Sequence, residues 1–241
     1  MALTEIPIEL SSTPGIVDNS NATAITIGSD ESVAIGGSVS ISHDGGDSLT
    51  LTKTTTEPSL RLEGDSNKDF VITVSGELLT ITQNDGGTDI LTLDHDTGAV
   101  KKPLQPAFLV NAATQNNIPI NANTTVTFST ERFDQGSNFA SNTFTAPVTG
   151  KYQLNVIIYA QSVDSAASYV QISLRTSNRE YFSIFAVSSL TQDAAYMTFP
   201  ISTLADMDAS DTAFVEVQLN NTGQGQMDIN AVSIFSGYLV A

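Results

Sequence analysis

The chain has 241 residues, no cysteine and a formal net charge of −17. Without cysteine it has neither a disulfide framework nor a thiolate centre, so its stability must come from core burial or from association. Acidic side chains outnumber basic ones in both halves, 16 to 5 over residues 1–104 and 10 to 4 over residues 105–241, which excludes the basic surface that nucleic-acid binding requires.

The opening MALTEIPIELSS has no basic n-region and no apolar h-region, so no secretory leader is expected, and no apolar run reaches membrane-spanning length. Ile6, Ile8 and Leu10 alternate before Ser11-Ser12-Thr13-Pro14-Gly15 breaks the pattern. A terminal strand of this kind either pairs with the sheet edge of another protein, as an attachment segment over residues 1–24, or forms the first strand of the chain's own sheet.

Over residues 25–104 a tripeptide with apolar ends recurs: Ile25-Thr26-Ile27, Leu49-Thr50-Leu51, Leu60-Arg61-Leu62, Ile72-Thr73-Val74, Leu79-Thr80-Ile81 and Leu91-Thr92-Leu93, with weaker copies at Val33-Ala34-Ile35 and Val39-Ser40-Ile41. The internal period of two is that of a strand, and a central Thr suits its solvent face. Turns such as His43-Asp44-Gly45-Gly46-Asp47 and Asp94-His95-Asp96-Thr97-Gly98 supply Asn, Asp and Gly, which tolerate the positive φ of tight hairpins. Strands this short bury too little to stand alone, and stacking against the same strands of neighbouring chains would complete them. The stretch STPGIVDNSNATAITIGSDESVAIGG and the later LTLDHDTGAV resemble segments of bacteriophage tail-fibre and other virion proteins. That resemblance covers much of residues 11–103 and implies modules of a trimeric stem.

From Pro106 onward the strands lengthen. Tyr152, Leu154, Val156 and Ile158 alternate with Gln153 and Asn155, Val170, Ile172 and Leu174 with Tyr169, Gln171, Ser173 and Arg175, and Val215, Val217 and Leu219 with Glu216 and Gln218; Ile229, Ala231, Ser233 and Phe235 are expected to share one face of the last strand. These patterns suit sandwich strands with one buried face. Turn residues lie between them, at Asp134-Gln135-Gly136-Ser137, Ala146-Pro147-Val148-Thr149-Gly150 and Asp208-Ala209-Ser210-Asp211, and the helix-like window Leu190–Met197 has no convincing apolar stripe.

Four blocks carry a second resemblance. Pro106-Ala107-Phe108 opens it, Phe133-Asp134 with Gly136 and Phe139 follows, Phe144-Thr145-Ala146-Pro147-Val148-Thr149-Gly150-Lys151-Tyr152 matches F-x-A-P-x-x-G-x-Y, and Phe235-Ser236-Gly237-Tyr238-Leu239 closes it. In this order they resemble the C1q/TNF-like family over residues 105–241. One departure is that Asp208-Ala209-Ser210-Asp211 stands where the family has a Gly-Asp turn. The resemblance implies a ten-stranded jelly-roll head that packs as a homotrimer. Phe108, Phe133, Phe139, Phe144, Tyr152, Phe214, Phe235 and Tyr238 are the candidates for its core and threefold contact; the sequence does not divide them between the two roles.

Catalytic chemistry is sparse. The two histidines, His43 and His95, lie in acidic turns, and Asp94-His95-Asp96 reads as a hairpin tip whose side chains diverge. With no His and no Cys after residue 105, a Ser-His-Asp or Cys-His centre is excluded there. Asp206, Asp208 and Asp211 offer oxygens to a Ca²⁺, as some C1q-type trimers do, but the EF-hand spacing fails, with Asp at 211 and Val at 217. The reading is therefore of no metal, with this trio as the alternative, and of no cofactor. The sequence is read as an all-β, non-enzymatic, homotrimeric virion fibre protein on the surface of the phage particle. Its N-terminus contacts other virion proteins, and its head is exposed to a glycan or protein receptor on the host surface, with no membrane insertion. The alternatives are a head fibre that stabilises the capsid and a soluble C1q-like lectin or adhesion protein.

Overall fold

The structure, a computed structural model, describes residues 59–62, 70–83, 88–220 and 226–241. All of these belong to one compact unit, Lys53–Ala241. Ile6, Ile8, Leu10, His43 and the tripeptides at 25–27, 33–35, 39–41 and 49–51 lie outside the described residues.

Four of the apolar-ended tripeptides each sit in a strand. Strands β1 (Ser59–Leu62), β2 (Phe70–Ser75), β3 (Leu78–Gln83), β4 (Asp89–Asp94) and β5 (Val100–Lys101) form an antiparallel meander in that order. The register aligns their apolar ends. Leu60, Ile72, Ile81 and Leu91 form one row across the sheet, and Val74, Leu79, Leu93 and Val100 form the next on the same face. The other face carries the row Ser59, Thr73, Thr80, Thr92 and Lys101; three central Thr residues lie on it as expected, but Thr92 is buried rather than turned to solvent. Gly76 (φ +55) opens the turn between β2 and β3.

The head consists of two sheets facing each other. Its strands are β6 (Ala107–Ala112), β7 (Asn123–Thr125), β8 (Phe128–Gln135), β9 (Phe139–Ala140), β10 (Thr143–Thr145), β11 (Gly150–Val163), β12 (Tyr169–Thr176), β13 (Glu180–Phe185), β14 (Ala194–Met207), β15 (Thr212–Asn220), β16 (Asp228–Ile229) and β17 (Ile234–Leu239). One sheet runs β14-β11-β17-β6-β8 with β16 against β11, and the other runs β13-β12-β15-β10-β9 with β7 against β15. Among the described residues this all-β jelly roll has twelve strands where ten were expected, and β9 and β16 are only two residues each. The window Leu190–Met197 is not helical: a 3₁₀ turn at Val187–Ser189 precedes it, and its last residues begin β14. The last strand also differs from expectation. A turn held by the Val232 amide donating to Asn230 Oδ1 at 2.9 Å leaves Ala231 exposed, so Ile229 and Phe235 belong to separate strands.

The inward residues of β11, β12 and β15 are fully buried, as their alternation requires. Phe108 of β6 and Phe144 of β10 stack at 4.7 Å between ring centroids, joining the two sheets. Phe235 meets Phe108 edge-on at 4.9 Å, and Tyr152 meets Phe144 at 5.4 Å. This close packing explains Gly237, where a Cβ would lie 2.6 Å from Leu154 Cδ2 and 2.9 Å from Phe108 Cε1.

The signature around Tyr152 has a physical basis too. Its hydroxyl donates to the Val148 carbonyl at 2.7 Å across the turn, and burial pushes its pKa up. A Cβ at Gly150 would meet the Ala241 carbonyl at 2.6 Å, so the C-terminal backbone passes directly over this position. Asp134 closes the turn at 134–139, accepting from the Asn138 amide at 3.0 Å and the Phe139 amide at 2.8 Å, while Gly136 sits at φ +95. The departure at Asp208-Ala209-Ser210-Asp211 is also resolved: Ser210 adopts φ +77, the conformation a glycine would favour.

Two substitutions test this packing. Gly237→Ala forces Phe108 or Leu154 to shift and should destabilise the head by roughly 1–3 kcal/mol. Ser210→Gly removes a left-handed strain of roughly 1–2 kcal/mol and adds glycine's entropic cost of roughly 0.5–1 kcal/mol, so a small net gain is expected. Denaturant midpoints at one fixed protein concentration would check both.

Candidate interaction surface

Strand alternation that buries one side of the β14-β11-β17-β6-β8 sheet turns the other side outward. There the register places Ile157 between Pro200 of β14 and Ile234 of β17. The next row is Ser202, Asn155, Ser236, Leu109 and Phe133, and beyond it lie Leu204, Gln153, Tyr238 and Ala107. Tyr159 and Tyr196 lie ring against ring at 5.7 Å at one end. Several of these apolar side chains are half or more exposed, including Phe133 (51%), Tyr196 (63%), Leu204 (54%) and Tyr238 (50%).

Three polar residues within this face bond to one another. Ser202 Oγ donates to Asn155 Oδ1 at 2.8 Å, and Gln153 Nε2 donates to Ser202 Oγ at 3.0 Å and to Asn155 Oδ1 at 3.2 Å. These bonds offset part of the cost of covering the cluster with protein, since paired polar groups are cheaper to bury than unpaired ones. Apolar rows around such a cluster make a surface suited to contact with another polypeptide.

The eight aromatic candidates divide between interior and surface. Phe108, Phe144, Tyr152 and Phe235 are in the core, and Phe139 packs against it. Phe214 is half-buried on the outward side of β15, while Phe133 and Tyr238 lie on the open face. Sequence reasoning missed Ile157, Tyr196 and Leu204. Their signal was present as apolar residues at the outward positions of long strands.

Two of the three carboxylates considered for Ca²⁺ have protein partners, and Asp208 takes part only through its backbone amide. Both oxygens of Asp206 accept from Arg179, from Nε and from Nη2 at 3.0 Å each. Asp211 Oδ2 accepts from the Asp208 amide at 2.8 Å and from Asn178 Nδ2 at 2.9 Å, which fixes the turn. At the tip of the meander, Asp94 accepts from the Thr97 amide at 2.9 Å and His95 Nδ1 lies 3.0 Å from Asp96 Oδ1. Among the described residues, no three His, Asp or Glu side chains gather as they would around a metal ion.

Two sheets closed on an aromatic core define a jelly-roll module. The C1q domain model matches residues 107–240, more than half of the chain, and the chain belongs to the C1q domain family. Among solved structures it is similar to the globular domain of zebrafish complement 1qA protein, at 16% identity and a TM-score of 0.44, over 57% of this chain and 98% of that one. It is also similar to murine APRIL at pH 8.0 and at pH 5.0. The identities are 10% and 9% and the TM-scores 0.41 and 0.42, each over 56% of this chain and 99% of the other. No curated protein matches the sequence significantly.

The Arg179–Asp206 pair has a pH signature. The hydrogen bond from Arg179 holds the Asp206 carboxyl down at about 2, against an ordinary 3.8. A depressed folded value means that the pair's contribution is complete above the ordinary value and is lost as pH falls through about 2. In Arg179→Gln, an NMR titration of the Asp206 side-chain carbon should move back towards the ordinary carboxylate range; an unmoved midpoint would assign the shift to another cause.

Proposed function

We propose that this chain is a homotrimeric, non-catalytic virion fibre subunit. In this reading residues 1–24 attach to other virion proteins, residues 25–104 form the stem, and residues 105–241 form a head displayed to a glycan or protein receptor on the host surface. The observation that carries the trimer is the outward face of the β14-β11-β17-β6-β8 sheet. Its apolar rows surround a polar cluster that bonds internally, and such a face is stable when turned toward a common axis with two copies of itself.

The stem is supported by the repeated apolar-ended units with acidic Gly turns, and the virion setting by the likeness of those segments to fibre proteins. Binding rather than catalysis follows from the C1q-type head, whose residues after 105 include neither His nor Cys. Three heads on one stem raise a weak single-site affinity through effective concentration, provided that the sites can be engaged together.

Native mass spectrometry of the full chain should report a trimer, and a stable monomer would overturn the reading. Ile157→Asp places a carboxylate at the centre of the apolar row and should convert trimer to monomer at micromolar concentration with an unchanged far-UV spectrum. Immunogold labelling of phage particles should place the head on projecting fibres; unlabelled particles would remove the virion role and leave the trimer standing.

A further inference from the structure

The meander β1–β5 presents a face that the described residues leave partly open. Each of its two apolar rows spans four of the five strands, and Leu60, Val74, Leu93 and Val100 are between 39% and 59% exposed. The opposite face carries the Ser-Thr-Lys row, with Val71 and Leu78 beside it, so the side with the two apolar rows is the one that most needs a cover. Neither apolar row contains a charged residue, so the cover has to be flat and apolar.

We propose that this face is the inner wall of a three-walled β-prism, closed by the same face of two further copies of the chain. The proposal rests on the trimeric reading above and deepens it by assigning the residues that hold the stem together. The link from β5 to β6 is the five residues Lys102–Pro106, which reach at most about 18 Å. Gln135 Nε2 of the head donates to the carbonyls of Lys102 and Gln105, at 3.0 and 2.6 Å, pinning that link. Heads sharing a threefold axis therefore hold three identical apolar faces close to the same axis, at high effective concentration. Symmetry selects among the possible covers. Face-to-face pairing of two sheets would leave the third chain's face in water, whereas three walls around the axis bury all three.

Because the chain has no cysteine, single thiols can be placed in the full-length protein. Ile81→Cys puts a thiol at the middle of the apolar face, and Thr80→Cys puts one beside it on the polar face. In trimers verified by native mass spectrometry, Cys at 81 should react at least 100-fold more slowly than Cys at 80 with a charged, water-soluble disulfide reagent. Mild oxidation should link chains in pairs through position 81, or through Leu79→Cys or Leu91→Cys on the same face, and not through position 80. Equal reactivity at 80 and 81 in an intact trimer would overturn the prism and leave the trimeric head standing. A protected thiol that cross-links at none of the three positions would show that the face is covered within its own chain, which also overturns it. A monomer in the mass spectrum would remove both readings.

Discussion

The head depends on the contact between Phe108 and Phe144. The two rings belong to different sheets, and their stacking at 4.7 Å joins the sandwich at its centre. Phe235 closes on Phe108 from β17, and the absence of a side chain at Gly237 lets that strand lie against the ring. Tyr152 extends the cluster along β11 while its hydroxyl holds the Val148 turn. Aromatic pairs of this kind add about 0.5–1.5 kcal/mol each beyond the area they bury, which matters in a fold with no disulfide.

With that core in place, strand alternation determines what faces outward. Each long strand of the β14-β11-β17-β6-β8 sheet that sends one set of residues to the core sends the other set to the open side of that sheet. Interior and interaction surface are thus two faces of the same strands, and a one-residue slip in register would exchange them. The meander follows the same rule on a smaller scale, with its apolar rows on one side and its Thr row on the other. Both sheets expose apolar surface that the described residues do not cover, which is why association is central to the function proposed for this chain.

Parts of this were legible in the sequence. The buried faces of β11, β12 and β15 and four of the meander's strands followed from period-two alternation. The F-x-A-P-x-x-G-x-Y block located the Tyr152 turn before its hydrogen bond was visible. Phe133 illustrates what was not legible. The β8 ladder shifts register between Leu109 and Val110 and again between Asn111 and Ala112, so alternation along β8 could not say which of its aromatics faces inward. Ala231 was misplaced for a related reason, because the Asn230 turn splits a run that reads as one strand.

The sequence by itself determined the all-β class, the turn positions, the acidic character and the family likeness of the head, because these depend on residue type and on spacing over a few neighbours. Only the tertiary structure decided that Phe108, Phe144 and Phe235 form the core while Phe133 and Tyr238 lie on the open face. It alone decided that Arg179 holds the carboxylate of Asp206. These outcomes depend on partners far apart along the chain, brought together by strand register and by bulges that shift the alternation, and local spacing carries no record of either.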